Sequence, residues 1–293
     1  MKKVIVVVGP TASGKTKIAI DLAKHYNLEI ISGDSVSIYT RLNIGSAKPT
    51  REEMQGIKHY LIDIKEPGED YSVCDFQADA RKIIDESNDI KIISGGTGLY
   101  IQSVLFDYEF EASRRDLDFS KRFENYSNQE LFDYLLQIDP SIDINKLHPN
   151  NRKRVLRAIE VKESLDKSIH SYNNKSKNVY DYFICYLSMD RNVLYERINK
   201  RVDLMINDGL VKEVKDLYDD GIIIHAIGYK EFIPYFDGEI TLDTAIDEIK
   251  KNTRHLAKRQ ETWFKNQMNS NFYDPTDYDK CLKNIISDRD RWL

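Results

Sequence analysis

Val4-Ile5-Val6-Val7-Val8-Gly9-Pro10-Thr11-Ala12-Ser13-Gly14-Lys15-Thr16 is the stretch on which the fold turns. It opens with an unbroken, largely β-branched apolar run, which suits a strand buried on both faces and hence a parallel sheet covered by helices. The remainder, Gly9 to Thr16, matches G-x-x-x-x-G-K-[ST] in the setting that motif requires, between an apolar strand and a segment of helical spacing. Glycines there let successive backbone N–H groups turn inward onto phosphate oxygens. The start of the next helix adds positive potential, Lys15 supplies a charge, and the Thr16 hydroxyl can hold Mg²⁺. Gly9, Pro10, Thr11, Ala12, Ser13, Gly14, Lys15 and Thr16 are therefore the expected diphosphate- or nucleotide-binding residues, with Thr16 as the metal ligand.

Elsewhere in the chain, Leu28 to Ser32, Ile90 to Ser94 and Tyr182 to Leu187 repeat the strand pattern, while the segments after Lys15 and after Val73 carry helical spacing. Strands alternating with helices predict an α/β fold, a P-loop NTPase-like core around a parallel sheet. From about Asp116 to Lys177 strand-like runs vanish, and Gln129 to Ile138 and Asn151 to Leu165 read as helices. This predicts a helical domain, 116–177, inserted into a catalytic core of 1–115 and 178–293, with Asn173 to Lys177 as the return linker. Two long helices, Val193 to Asp219 and Leu242 to Asn266, are expected after the return to the sheet.

Composition bounds the function without naming it. The 293 residues are 41% hydrophobic and 31% charged, enough apolar content for a large core. Cys74, Cys185 and Cys281 are far apart and include no C-x-x-C pair, which argues against a zinc site and a disulfide framework and for a reducing compartment. Lys2 and Lys3 precede an apolar run too short for a secretory signal, and no run approaches the roughly 20 residues that span a bilayer. A cytoplasmic protein without membrane contact, acting as a monomer, is the expectation. A net charge of −5 speaks against wholesale coating of nucleic acid, so any polyanion partner must use local clusters. Arg114 with Arg115, Arg152 to Arg154 with Arg157, and Lys250 to Lys265 are such clusters. In the last, Lys250, Arg254 and Lys258 recur every four residues, as do Lys251, His255 and Arg259, which predicts one wide basic helix face.

A P-loop specifies a phosphate and not its fate. Asp34, in Glu29-Ile30-Ile31-Ser32-Gly33-Asp34-Ser35, falls just past a strand's C-terminal end, where open α/β sheets gather ligands. From its position alone it could be a Mg²⁺ ligand, a base or a helix cap. With Tyr39, Ile44-Gly45-Ser46-Ala47-Lys48-Pro49-Thr50, Tyr71 to Phe76, Gly95-Gly96-Thr97-Gly98-Leu99-Tyr100, His148-Pro149-Asn150, Arg154 with Arg157 to Val161, Ala226 to Glu231 and Ala257-Lys258-Arg259-Gln260, these residues resemble the tRNA dimethylallyltransferase family, in order and over nearly the whole chain.

That resemblance implies transfer of a dimethylallyl group from its diphosphate to N6 of the adenine beside the anticodon of a tRNA, position 37, with Mg²⁺. It implies that Asp34 accepts or orients the amine proton, that Thr97 bonds near the reacting centre, and that Arg201, sharing a helix face with Arg197, joins Lys15 on the departing diphosphate. The prenyl donor, presenting the same phosphate pair as a nucleotide, is expected in the P-loop. The resemblance further implies tRNA contacts from Asp34, Ser35, Val36, Ser37 and Thr97, and from Lys153, Arg154, Val155, Leu156 and Arg157, on the anticodon stem-loop. Val36-Ser37 departs from the family's common Met-Gln, so base reading beside Asp34 is expected to differ here. A rival reading is a P-loop kinase of nucleosides or small metabolites, with Asp34 as base and Arg197 and Arg201 as a lid.

Overall fold

The structure, a computed structural model, describes residues 1–107, 119–169, 177–268 and 270–293. Its centre is Lys3–Val8 (β1), flanked by Lys91–Gly95 (β4) and Asp181–Leu187 (β5). Glu29–Ser32 (β2) and His59–Tyr60 (β3) extend the sheet beyond β4, and Asn271–Tyr273 (β6) extends it beyond β5, in the order β3-β2-β4-β1-β5-β6 with every pairing parallel. Val4 through Val8 are fully buried, as a strand with helices over both faces demands.

Lys15–Tyr26 (α1) leads from β1 to β2, and Val73–Glu86 (α3) leads from β3 back to β4. Between β2 and β3 lies a long connection holding the single-turn helix Arg51–Met54 (α2). Ser72 and Asp75 close a reciprocal capping box at the start of α3, satisfying amides that the helix leaves open. Gly98–Leu105 (α4) follows β4.

The chain divides into two compact units, Met1–Leu105 with Asn178–Leu293, and Phe106–Lys177. The second unit begins at Phe106, where the sequence pattern had set the change near Asp116; Asp116, Arg114, Arg115 and Asn173 to Ser176 lie outside the described residues. This unit contains Asn128–Ile138 (α5) and Arg152–Leu165 (α6), packed around Phe119, Phe123, Leu131, Leu135, Leu147, Val155 and Ile159.

In the larger unit, Arg191–Asn207 (α7) and Leu210–Asp219 (α8) replace the single helix expected over Val193 to Asp219. The break is at Gly209, whose φ of 101° lies in the left-handed region that only glycine enters cheaply. The short turn Ile233–Phe236 (α9), the 26-residue helix Leu242–Gln267 (α10), β6 and Tyr278–Trp292 (α11) complete the chain. Among the described residues, no helix is long and apolar enough to cross a membrane.

Candidate active site

Parallel pairing lines up the strand ends that matter. Val8 is opposite both Gly95 and Tyr186, and Ser32 is opposite Ser94. The loops after β1, β2 and β4 therefore leave from the same edge of the sheet, the C-terminal edge at which such sheets bind ligands. The first is the P-loop. Gly9 has a φ of 153°, and a Cβ there would sit 2.7 Å from the Leu187 carbonyl oxygen. Ala12 (φ 63°) and Gly14 (φ 89°) are left-handed as well, a costly conformation for alanine that bends the loop into a concavity of inward N–H groups. Among the described residues no side chain caps α1, so the first-turn amides after Gly14 remain available to an anion. Ser13 Oγ is buried with no hydrogen-bond partner among the described residues.

Lys15 donates from Nζ to the Pro10 carbonyl oxygen at 2.7 Å. Burial and the nearby Arg201 guanidinium lower its pKa to about 7, against a partial counter-effect from Asp34. A partly buried amine beside a second cation gives up its proton easily, and an anion bound between the two would restore it. Arg201, on α7, donates to Thr11 Oγ1 at 3.3 Å and to the Ala47 carbonyl oxygen at 3.4 Å, and desolvation lowers its pKa too. Thus α7 places a second cation against the P-loop. Arg197, its neighbour on the helix, is not among the residues lining the cavity.

Asp34 Oδ1 accepts from the backbone N–H of Val36 at 2.9 Å and of Ser37 at 3.4 Å, so the aspartate shapes its own loop with one oxygen. The other receives no hydrogen bond among the described residues. Thr97 sits at the head of α4: its hydroxyl accepts from Ser35 N–H at 3.1 Å and donates to Ser35 Oγ at 3.3 Å. The loops after β2 and β4 also approach backbone to backbone, since a Cβ on Gly95 would lie 2.2 Å from the Gly33 carbonyl oxygen.

Thr11, Lys15, Thr16, Asp34, Ser35, Val36, Ser37, Thr97 and Arg201 all line one cavity of about 680 Å³ in the larger unit. Lys153, Arg154, Val155, Leu156 and Arg157 belong to the other unit. There Lys153 and Arg154 are exposed, and Arg157 pairs with Glu160 at 2.7 Å. Val155 is fully buried in that unit's core and Leu156 packs partly buried against it, so the side chains that this segment offers to solvent are chiefly those of Lys153 and Arg154.

Sequence reasoning gave no role to several residues that build the site. Gln260, on α10, accepts from Thr11 N–H at 2.9 Å and donates to the Gly96 carbonyl oxygen at 3.0 Å. Trp263, one turn on, fills the space a Cβ at Gly98 would need, 2.3 Å away. Glu213, on α8, accepts from the backbone N–H of Asn43, Ile44 and Gly45 and from the Tyr229 hydroxyl at 2.8 Å. It thereby holds the Ile44 to Thr50 loop, which borders the cavity through Gly45 to Pro49. A signal existed for Gln260, because Ile249, Thr253, Leu256 and Gln260 form a helical stripe of cavity-lining residues in which a long amide is the odd member.

The expected basic face of α10 is narrower than its spacing implied. Lys250 pairs with Asp203 at 2.6 Å and Arg254 donates to Asn199 Oδ1 at 2.7 Å, both on α7, while Lys251 and Lys265 pair with acids of α10 itself. Lys258 and Arg259 remain, beside Trp263, Asn266 and Gln267 on a second concavity.

A phosphate cradle bearing two cations, with a carboxylate across the same cavity, sits on a chain whose residues 37–267 match the IPP transferase profile and whose residues 2–68 match the isopentenyl transferase profile. The chain belongs to the IPP transferase family. The tRNA dimethylallyltransferase of Anoxybacillus flavithermus is 49% identical over 286 residues, 94% of this chain and 91% of that one. The solved tRNA isopentenylpyrophosphate transferase of Bacillus halodurans superposes with a TM-score of 0.76 at 42% identity, covering 100% of this chain and 97% of that one. A eukaryotic dimethylallyltransferase captured acting on tRNA reaches a TM-score of 0.81 at 29% identity, covering 95% of this chain and 75% of that one. These IPP transferases are P-loop NTPase-like, in keeping with the parallel sheet here.

Residues around the P-loop fit Mg²⁺. Among the described residues, no group of three His, Cys, Asp or Glu side chains could cage a metal alone. The Thr16 hydroxyl borders the same cavity as Lys15 and Arg201, and a hard cation that takes most of its oxygens from diphosphate and water would suit that sparse donor set.

Proposed function

We propose that this chain transfers the dimethylallyl group of dimethylallyl diphosphate to N6 of the adenine beside the anticodon, position 37, of a tRNA, giving N6-isopentenyladenosine. The observation that carries this reading is the meeting of Lys15, Arg201, Thr97 and Asp34 around one cavity. The N6 nitrogen forms a bond to C1 of the allylic group as the C1–oxygen bond breaks, and the amine proton passes to Asp34. That carboxylate already has Oδ1 fixed by the Val36 and Ser37 amides, so its rotation is restricted and its other oxygen serves as acceptor. Lys15, Arg201 and the open amides of α1 hold the diphosphate as it leaves with its charge. Mg²⁺, held by Thr16, would neutralise further charge on the same oxygens. Thr97 keeps the Asp34–Ser35 loop in register through Ser35 and presents its hydroxyl near the adenine.

The enzyme acts in the cytoplasm as a monomer. Asp34 to Ser37 and Thr97 receive the extruded adenine, while Lys153, Arg154 and Arg157 of the helical unit hold phosphates of the anticodon stem-loop, positioning it without reading its sequence.

Incubation with labelled dimethylallyl diphosphate, Mg²⁺ and bulk tRNA, with nucleoside triphosphates excluded, tests the reading. Label should enter tRNA and appear as N6-isopentenyladenosine on digestion. Phosphate transfer from ATP to a nucleoside, with tRNA left unalkylated, would establish the kinase reading instead.

A further inference from the structure

We propose that Gln260 is a positioning residue that sets the distance between the donor half and the acceptor half of the site; this rests on the prenyl-transfer reading above. Its side chain joins the loop after β1 to the loop after β4. Oε1 accepts from Thr11 N–H at 2.9 Å, and Nε2 donates to the Gly96 carbonyl oxygen at 3.0 Å. One partner is a pure donor and the other a pure acceptor, so only one orientation of the amide satisfies both.

The bonds continue on each side. Thr11 Oγ1 accepts from Arg201 at 3.3 Å, so the donor half is one side chain away from Gln260. Gly96 precedes Thr97, whose hydroxyl bonds both the backbone and the side chain of Ser35, the residue after Asp34. Thr97 N–H also donates to the Gly33 carbonyl oxygen at 3.2 Å, so both residues flanking Asp34 are bound to Thr97. Gln260 is thus the midpoint of an unbroken hydrogen-bonded path from the guanidinium of Arg201 to the loop bearing Asp34.

The fit leaves no slack. A Cβ on Gly96 would lie 2.4 Å from Gln260 Nε2, so the glycine admits the amide. On the next turn of α10, Trp263 closes on Gly98 in the same way, fixing the helix on both sides of Thr97. The Thr11 amide is also committed to Gln260 rather than to a phosphate oxygen, which assigns anion binding to the later amides at the start of α1. Gln260 therefore influences the reaction through geometry. In-line transfer from a fixed diphosphate to a fixed amine is sensitive to a displacement of about 1 Å, with losses on the order of 100-fold.

Gln260→Met keeps the length and removes both bonds; Gln260→Glu keeps the acceptor for Thr11 but sets a carboxylate oxygen against the Gly96 carbonyl. In single-turnover transfer with saturating donor and tRNA, Gln260→Met should be slowed roughly 10- to 100-fold, with affinity for inorganic diphosphate within about threefold of wild type and an unchanged melting temperature. A protonated glutamic acid has one donor and one acceptor, as glutamine does. The ratio of Gln260→Glu to wild-type rate should therefore climb as pH falls, a rescue that general loosening would not produce. Hydrogen exchange supplies a readout independent of activity: in Gln260→Met, peptides covering Gly9–Ser13 and Gly95–Thr97 should lose protection together. Unchanged protection in either peptide overturns the clamp. Parallel loss of rate, diphosphate affinity and melting temperature reduces Gln260 to a structural residue and overturns the positioning role. If wild type alkylates no RNA while the two peptides still respond together, the transfer reading fails and the clamp stands.

Discussion

Replacing Glu213 by alanine withdraws one carboxylate from four donors: the amides of Asn43, Ile44 and Gly45 and the hydroxyl of Tyr229. The costs differ. Tyr229 is 1% exposed, so its hydroxyl has no water to turn to, and an unsatisfied buried donor costs about 1–3 kcal/mol. The amides lie on a partly exposed loop that water can reach, and lose only the margin of a charge-assisted bond over hydration, about 0.5–1 kcal/mol each. The sum is about 4 kcal/mol, or a fall in melting temperature of roughly 8 °C. Tyr229→Phe in the wild-type background removes one bond and should cost about 1 kcal/mol. In the Glu213→Ala background it removes the stranded hydroxyl and should raise stability. Thermal or urea unfolding of the four proteins of this cycle gives the comparison. A melting temperature for Glu213→Ala within about 2 °C of wild type, or the same cost for Tyr229→Phe in both backgrounds, would refute the reasoning. Because the held loop also carries the Ala47 carbonyl oxygen bonded by Arg201, the KM for the prenyl donor should rise in Glu213→Ala.

Asp34→Asn retains an oxygen for the Val36 amide but cannot take a proton, so transfer should fall by about 100-fold or more while tRNA affinity, read by filter binding, stays within about threefold. Lys15, with its pKa lowered to about 7, is mostly neutral at about pH 8 in the free protein, and a bound diphosphate restores its charge. Calorimetry in buffers of different ionisation enthalpy should show more proton uptake on donor binding in wild type than in Lys15→Met; equal uptake would reject the assignment. The sign for stability comes from the same shift: between about pH 7 and the ordinary lysine value of 10.5 the unfolded chain holds the extra proton, so through this group the free protein becomes less stable as pH falls across that window and more stable as it rises. Gly98→Ala drives a methyl into the Trp263 ring and should cost about 1–3 kcal/mol with a change in tryptophan emission, whereas Gly14→Ala meets open space and bears only the left-handed φ, about 1–2 kcal/mol.

The loops that border the cavity were legible because their signals are local. A five-residue apolar run ahead of a glycine loop needs no tertiary context, and the P-loop, Asp34 and Thr97 all stand at the ends of strands that the sequence pattern located. The two-residue β3 and three-residue β6 are too short for any periodicity to register. Lys250 and Arg254 read as free basic residues because their partners, Asp203 and Asn199, lie on another helix, where spacing along α10 gives no information. Val155 falls inside a charged string, yet its neighbours in space are the aromatic and aliphatic residues of the helical unit's core. Gln260, quoted in the sequence only as the end of Ala257-Lys258-Arg259-Gln260, and Glu213 bond chiefly to backbone groups far away in sequence, and the residue pattern does not say which backbone groups a side chain will meet.

Strand β1 is early in the chain yet central in the sheet, between strands that begin at Lys91 and Asp181. During synthesis at about 5–20 residues per second, this apolar segment waits roughly ten seconds or longer before its second neighbour is made. For that interval it is an aggregation hazard with at least one unsealed edge. Fast overproduction should accordingly drive more of the nascent polypeptide into inclusion bodies than slow expression does.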